Sequence, residues 1–163
     1  MTTLAKADIE ISAQAARAFV QLYYPAYDSA GRDEDVPKFY RSYSSILWNG
    51  NPVTGADALK DFLKGIPTTA HEVLTYDCHP IPNTKGPSLM ISVSGTVRHG
   101  PDTGPLYVTG PNGKEKPKSK TVDGQPRVFS QTFVLVPDPD APAVEPGKLG
   151  KYVVSADSFR FVG

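Results

Sequence analysis

The sequence predicts an α+β fold in which helices come first and a long antiparallel sheet follows, the helices covering one sheet face. Three observations predict it. Before Pro67 apolar residues recur at helical spacings; after Pro67 they alternate with polar ones; and the 163 residues suffice for one domain with a real core.

In the first helix Ile9, Ala13, Ala16, Val20, Tyr23, Tyr24 and Tyr27 share one face. Asp8 is placed to cap its start, and Pro25 is expected to kink or end it before Gly31. A short second helix is expected behind the acidic lead-in Asp33, Glu34 and Asp35, with Val36, Phe39, Tyr40 and Tyr43 on its apolar side. Ser45 to Trp48 reads as a strand, and Asn49-Gly50 favours the positive φ angles of a tight hairpin. A third helix, capped by Thr54 or Asp57, carries the stripe Leu59, Phe62, Leu63 and Ile66 and ends at Pro67.

The strands follow. Leu74, Tyr76 and Cys78 alternate with Thr75, Asp77 and His79 up to a turn beginning at Pro82. Leu89, Ile91, Val93 and Val97 form one face of the next strand, Phe129, Gln131, Phe133 and Leu135 one face of another, and Lys151 to Phe161 forms the last. Residues 1–163 are thus expected to form a single domain, interrupted by long connections at 100–126, rich in Gly, Pro and Lys, and at 137–147, rich in Pro and Asp.

Composition narrows the function. Formal charges cancel, so no protein-wide field favours nucleic acid or a membrane surface. The single cysteine, Cys78, excludes an internal disulfide framework and a Cys-rich zinc site, and suits a reducing compartment. With no long apolar run and no signal-like N-terminus, membrane insertion is not expected. His71, His79 and His99 lack ligand spacing, so neither a metal nor another cofactor is expected.

If the helices cover one sheet face, the other must be polar or meet a partner. Strand parity with Phe159 and Phe161 in the core sends Tyr152, Val154, Ala156, Ser158 and Arg160 to the far face. With Phe129 and Phe133 in the core, Ser130, Thr132 and Val134 join them. Small uncharged side chains there surround one arginine. Arg160 either fixes register through a bidentate bond to a partner carboxylate or lies along the sheet with its head in water.

Five segments resemble the nuclear transport factor 2-like family, and within it the NTF2-related subunits of heterodimeric mRNA export receptors. They are Tyr23-Tyr24 with Asp28 and Arg32; Leu47 to Asn51 followed by Gly55; Asp77-Cys78 with Pro80; Phe129, Gln131 and Phe133; and Asp157 to Phe161. The resemblance runs from about Phe19 to Phe161 and implies a curved antiparallel sheet wrapped around three N-terminal helices. It implies a non-catalytic small subunit, of fungal type by its extended loop, that pairs through its outer sheet face with a similar domain of a large subunit. Arg160 is then expected to bond an acid of that subunit, with Ser158, Thr132 and Val134 as further interface residues and Asp77, on the polar side of its strand, either facing the partner as well or supporting a loop. Also implied are passage past phenylalanine-glycine nucleoporins as a heterodimer, shuttling between nucleus and cytoplasm, and a link to ribosomal-subunit export. Arg98 and His99 stand where the transport factor of the family carries acidic residues for Ran, so Ran import is not expected.

Two rivals accompany this reading. One is a homodimeric transport factor. The other is an isomerase or dehydratase of the same fold, for which Tyr23, Tyr24, Tyr27, Asp28, Trp48, Asp77, His79 and Asp157 are the candidate acid, base and phenolic groups. Tyrosines at helical spacing are otherwise core residues with a hydroxyl tip. Lys114, Lys116, Lys118 and Lys120 form a basic strip that either touches RNA phosphates or is simply solvated; it contains no aromatic to stack on bases.

Overall fold

The computed structural model describes residues 3–101, 107–117, 124–145 and 147–163. Three helices lie on one face of a six-stranded sheet. Helix α1 (Lys6–Asp28) buries Ala16, Val20, Tyr23, Tyr24 and Tyr27 of the expected face, and Phe19 with them, whereas Ile9 and Ala13 near its start are exposed. Asp8 serves its start from inside the first turn, its carboxylate accepting from the Ala5 N–H at 3.0 Å. The helix passes through Pro25 and ends three residues later, where the Ser29 N–H and hydroxyl both donate to the Ala26 carbonyl.

The second helix is shorter than expected. Helix α2 (Arg32–Asp35) gives way to a single 3-10 turn over Val36–Phe39, and the chain is extended from Tyr40 onward. Pro37 offers no N–H to continue an α-helix, so Tyr40 and Tyr43 belong to strand β1 (Tyr40–Trp48). Asn49 and Gly50, at φ 47° and 85°, close the expected hairpin into β2 (Asn51–Thr54). Helix α3 (Gly55–Gly65) buries Leu59 and Leu63, with Phe62 and Ile66 packed on the core.

The end of α3 is tied down by Arg32, whose guanidinium donates to the carbonyls of Leu63 (3.2 Å), Pro67 (2.7 Å) and Ile66. Leu63 is in the last turn, whose carbonyls a helix leaves unpaired, and Ile66 and Pro67 continue the chain just past its end, where positive charge is favoured. Arg32→Met keeps the stem and removes the donors, so it is expected to cost about 2–3 kcal/mol in urea unfolding. A change below about 0.5 kcal/mol would show that water replaces the guanidinium without loss.

The sheet order is β2-β1-β8-β7-β4-β3, with β3 (Thr69–Ile81), β4 (Ser88–His99), β7 (Pro126–Pro137) and β8 (Tyr152–Phe161). Four of the five pairings are antiparallel; β1 and β8 run parallel, so the sheet is mixed where wholly antiparallel pairing was expected. Leu89, Ile91, Val93 and Val97 are fully buried, as their alternation required. Within the expected connection 100–126, β5 (Tyr107–Thr109) and β6 (Glu115–Pro117) pair as a separate hairpin.

Two bulges correct the strand parity. In β3 the register shifts between Val73 and Thr75, so Leu74 is 64% exposed and only Tyr76 and Cys78 keep the inward face. In β8 the register shifts beside Ser155, so Val154 is fully buried and Tyr152 packs on the core, where the far face had been expected for both. An extra residue in one strand reverses the facing of everything beyond it.

Candidate functional site

The face turned away from the helices is built in rows across the strands. One row contains Asp77, Ser92, Thr132, Ser158 and Leu47, from β3, β4, β7, β8 and β1 respectively. The next contains His79, Met90, Val134, Ala156 and Ser45, and the row on the other side Thr75, Ser94, Ser130 and Arg160. All five residues expected at an interface thus share one face: Arg160, Ser158 and Asp77 exposed, Thr132 and Val134 half-buried. Sequence parity missed Leu47, 44% exposed, and Met90, 36% exposed, because each was read by its chain neighbours and not by its row. Short hydroxyl side chains in the middle of the face leave it flat enough for a second sheet to approach.

The inner side of the same strands holds a buried polar chain. The Tyr23 hydroxyl bonds that of Tyr40 at 2.7 Å, and Tyr40 donates to the Asp157 carboxylate at 2.6 Å. Gln131 donates to the other Asp157 oxygen at 2.8 Å and accepts from Tyr24 at 2.9 Å. Burial pushes the Asp157 carboxyl up to about 6, while the bonds from Tyr40 and Gln131 pull it down. Burial, and then the Asp157 charge, raise Tyr23, Tyr24 and Tyr40 well above the ordinary phenol range.

Beside this chain, Asp28 accepts from the His71 backbone N–H at 2.8 Å and from Thr69 at 2.7 Å, and meets the His71 ring at 2.6 Å. Burial works to raise Asp28, but the bonds from His71 and Thr69 outweigh it and hold the carboxyl below its usual value. Burial lowers the His99 imidazole.

Of the residues considered for catalysis, Tyr23, Tyr27, Trp48 and Asp157 do meet, around a cavity also lined by His71, His99 and Gln131. Asp77 and His79 point to the opposite side of the sheet. The cavity measures about 10 Å³, room for about one water, whereas small-molecule sites run to about 300–1,000 Å³. A wider groove of about 680 Å³ opens between the start of α1, the 82–87 turn and the 137–151 connection, and none of the candidate catalytic residues lines it. Among the described residues no cluster of His, Cys, Asp and Glu could hold a metal ion, and no helix is long and apolar enough to cross a membrane.

The basic strip is only partly placed. Lys114 is exposed beside β6, Lys116 lies within β6, and Lys118 and Lys120 fall outside the described residues.

Comparison with known proteins agrees with the fold. The model of the nuclear transport factor 2 (NTF2) domain matches residues 15–108. An NTF2-related export protein of Caenorhabditis elegans is 28% identical over 151 residues, 90% of this chain and 85% of its own. Human NTF2-related export protein 2 is 31% identical over 96 residues, 57% of this chain and 66% of its own. Among solved structures, a chain of the Chaetomium thermophilum Mex67 NTF2-like domain complexed with Mtr2 superposes with a TM-score of 0.61 at 20% identity, covering 93% of this chain and 99% of that one. A putative scytalone dehydratase from Novosphingobium aromaticivorans superposes with a TM-score of 0.66 at 14% identity, covering 98% and 89%. At such identities the likeness is one of fold, which enzymes and transport proteins share.

Proposed function

Because the chain belongs to the nuclear transport factor 2 (NTF2) domain family, we propose that it is the small, non-catalytic subunit of a heterodimeric nuclear mRNA export receptor. It pairs through its outer sheet face with a similar domain of a larger subunit, and in that form shuttles through nuclear pores past phenylalanine-glycine nucleoporins. The observation that carries the reading is the uncovered face itself: a flat field of Ser92, Ser94, Ser130, Thr132 and Ser158 bearing the exposed Arg160. Two further facts support it. A relative that matches over 90% of the sequence is named an NTF2-related export protein, and the inner cavity has no room for a substrate.

Arg160 supplies the specific contact. A guanidinium whose neighbours in the adjoining rows of β7 and β8 are Ser130, Thr132 and Ser158 is desolvated when two sheets close, and it then requires a carboxylate opposite. Arg160→Glu is expected to weaken heterodimer binding by roughly a hundredfold or more while the folded chain keeps its circular dichroism spectrum. The experiment is capture of the tagged chain from fungal cells, with identification of what accompanies it in near-equal amounts. A larger RNA-binding subunit that the parent retains and the variant loses supports the reading. Equal retention by both removes Arg160 from the interface, and a chain recovered alone overturns the heterodimer.

A further inference from the structure

We propose that the free edge of β3, between its bulge and Pro80, is a second docking site. Its occupant is an extended segment of a partner protein, which adds to the sheet as a further antiparallel strand and sets a lysine or arginine beside Asp77. The site opens sideways in the plane of the sheet, so it goes beyond the pairing of the outer face.

The six-stranded sheet ends in β2 on one side and β3 on the other. β2 is blunted by its four-residue length and by Pro52. β3 runs for 13 residues, carries no lysine or arginine, and exposes Leu74, Thr75, Tyr76 and Asp77 in succession. Edge strands are ordinarily guarded against foreign strands by lysine, proline or a bulge. Here the bulge at Leu74 and the proline at Pro80 guard two points and leave the stretch between them open.

The direction of the backbone shows what that stretch offers. The His71 N–H turns away from β4 to donate to Asp28 at 2.8 Å, and the Thr68 carbonyl turns towards β4 to accept from the Gly100 N–H at 2.7 Å. Before the bulge, therefore, the odd-numbered residues present their N–H and C=O groups to the edge, where Asp28 caps the His71 amide. The extra residue at Leu74 passes that role to Tyr76, Cys78 and Pro80. Pro80 fits it, since its missing N–H then costs no bond to β4. The N–H groups of Tyr76 and Cys78 and the carbonyls of all three thus stand along an edge that no strand covers.

The side chains select the occupant. On an added strand, the residue opposite Asp77 points to the outer side of the sheet, and its two neighbours point to the inner side beside Tyr76 and Cys78. Asp77 is exposed and has neither an ion pair nor a side-chain hydrogen bond among the described residues. Tyr76 is 37% exposed, and Leu74 and Ile81 extend the apolar margin on either side of it. A segment that alternates apolar and polar residues, with a basic one facing Asp77, meets both demands.

The probe is a fluorescent peptide of about nine residues that alternates threonine and valine, with lysine in place of the central threonine. Its binding to the isolated full chain is followed by anisotropy. Replacing the lysine by glutamate is expected to weaken binding about tenfold, and Asp77→Lys to invert the preference so that the glutamate peptide binds better. Methylation of backbone amides separates strand addition from charge attraction. In the antiparallel pair the valine amides, opposite Tyr76 and Cys78, donate to β3, while the threonine amides face away. Methylating the valine amides is expected to weaken binding about tenfold or more, and methylating the threonine amides to leave it within about twofold. Absence of binding, whether because the edge does not pair or because a second copy already holds it, would overturn the proposal. Indifference to the charge swap, or equal loss from both methylations, would overturn it too. Capture of a larger subunit from cells is a separate measurement, so the heterodimer can fail while the edge still binds, and the reverse.

Discussion

Gly95→Ala is expected to destabilise the fold severely. The bulge at Leu74 swings the β3 backbone across Gly95, so that a Cβ built there would lie 2.0 Å from the Glu72 carbonyl oxygen and 3.1 Å from the Val73 Cα. Both atoms are backbone, and no side-chain rotation relieves the clash. β3 would have to move away from β4 at the centre of their ladder, giving up hydrogen bonds and the packing of Cys78 beneath it. The expected cost is about 4 kcal/mol or more, a fall in Tm of roughly 8–16 °C for a chain of this size. Thermal unfolding followed by circular dichroism measures it, and an unchanged Tm would mean that the bulge relaxes freely.

Asp157→Asn is expected to flatten the pH dependence of stability between about pH 4 and pH 6. With its carboxyl raised to about 6 in the fold from an ordinary 3.8, Asp157 holds its proton in the folded state across a range where the unfolded chain has released it. Stability from this group is therefore greatest below about pH 4, declines as pH rises towards 6, and is level above, a total of about 3 kcal/mol. Asparagine does not titrate. Its amide also fits the chain of bonds if that chain reverses: the new N–H donates to Gln131, whose own N–H then donates to Tyr24, while Tyr40 still donates to the remaining oxygen. Urea unfolding of parent and variant at pH 4, 5, 6 and 7 gives the comparison as a difference, which cancels the opposite trend from Asp28, whose lowered carboxyl costs stability only in acid. A difference that does not grow between pH 4 and pH 6 would mean that Asp157 is ordinary.

The two results concern opposite sides of one sheet, and the sequence speaks differently about each. Taking Phe129, Phe133, Phe159 and Phe161 as core residues was enough to orient β7 and β8, so the outer positions of Thr132, Val134, Ser158 and Arg160 followed from parity alone. Parity failed where it was carried past Ser155 and Val73, because a bulge leaves no compositional mark that separates it from a regular strand. The second helix was over-extended because Tyr40 and Tyr43 sit at helical spacing from Val36, and the competing signal, Pro37, only forbids one hydrogen bond.

The inner site was half readable. Tyr23, Tyr24 and Asp157 were chosen for their chemistry, but Tyr40 and Gln131, which hold Asp157 in place, come from elements 117 and 26 residues away from it. His71 was set aside for lack of ligand spacing, yet its partner is Asp28, 43 residues earlier and across the gap between a helix end and a strand. Such pairings are made by topology and have no local signature.

The parallel pairing of β1 with β8 sets the timing of folding. Strand β8 is the last of the described strands in sequence, yet it lies in the interior of the sheet, bonded to β1 on one side and β7 on the other. Until residues 152–161 arrive, the hairpin β1–β2 and the three strands β3, β4 and β7 have no hydrogen bond between them. A chain emerging during synthesis therefore carries two unjoined half-sheets with open edges on β1 and β7, and closure requires a contact across more than a hundred residues. The ten-residue strand that joins the halves also bears Arg160, so the outer sheet face is completed in the same step as the sheet.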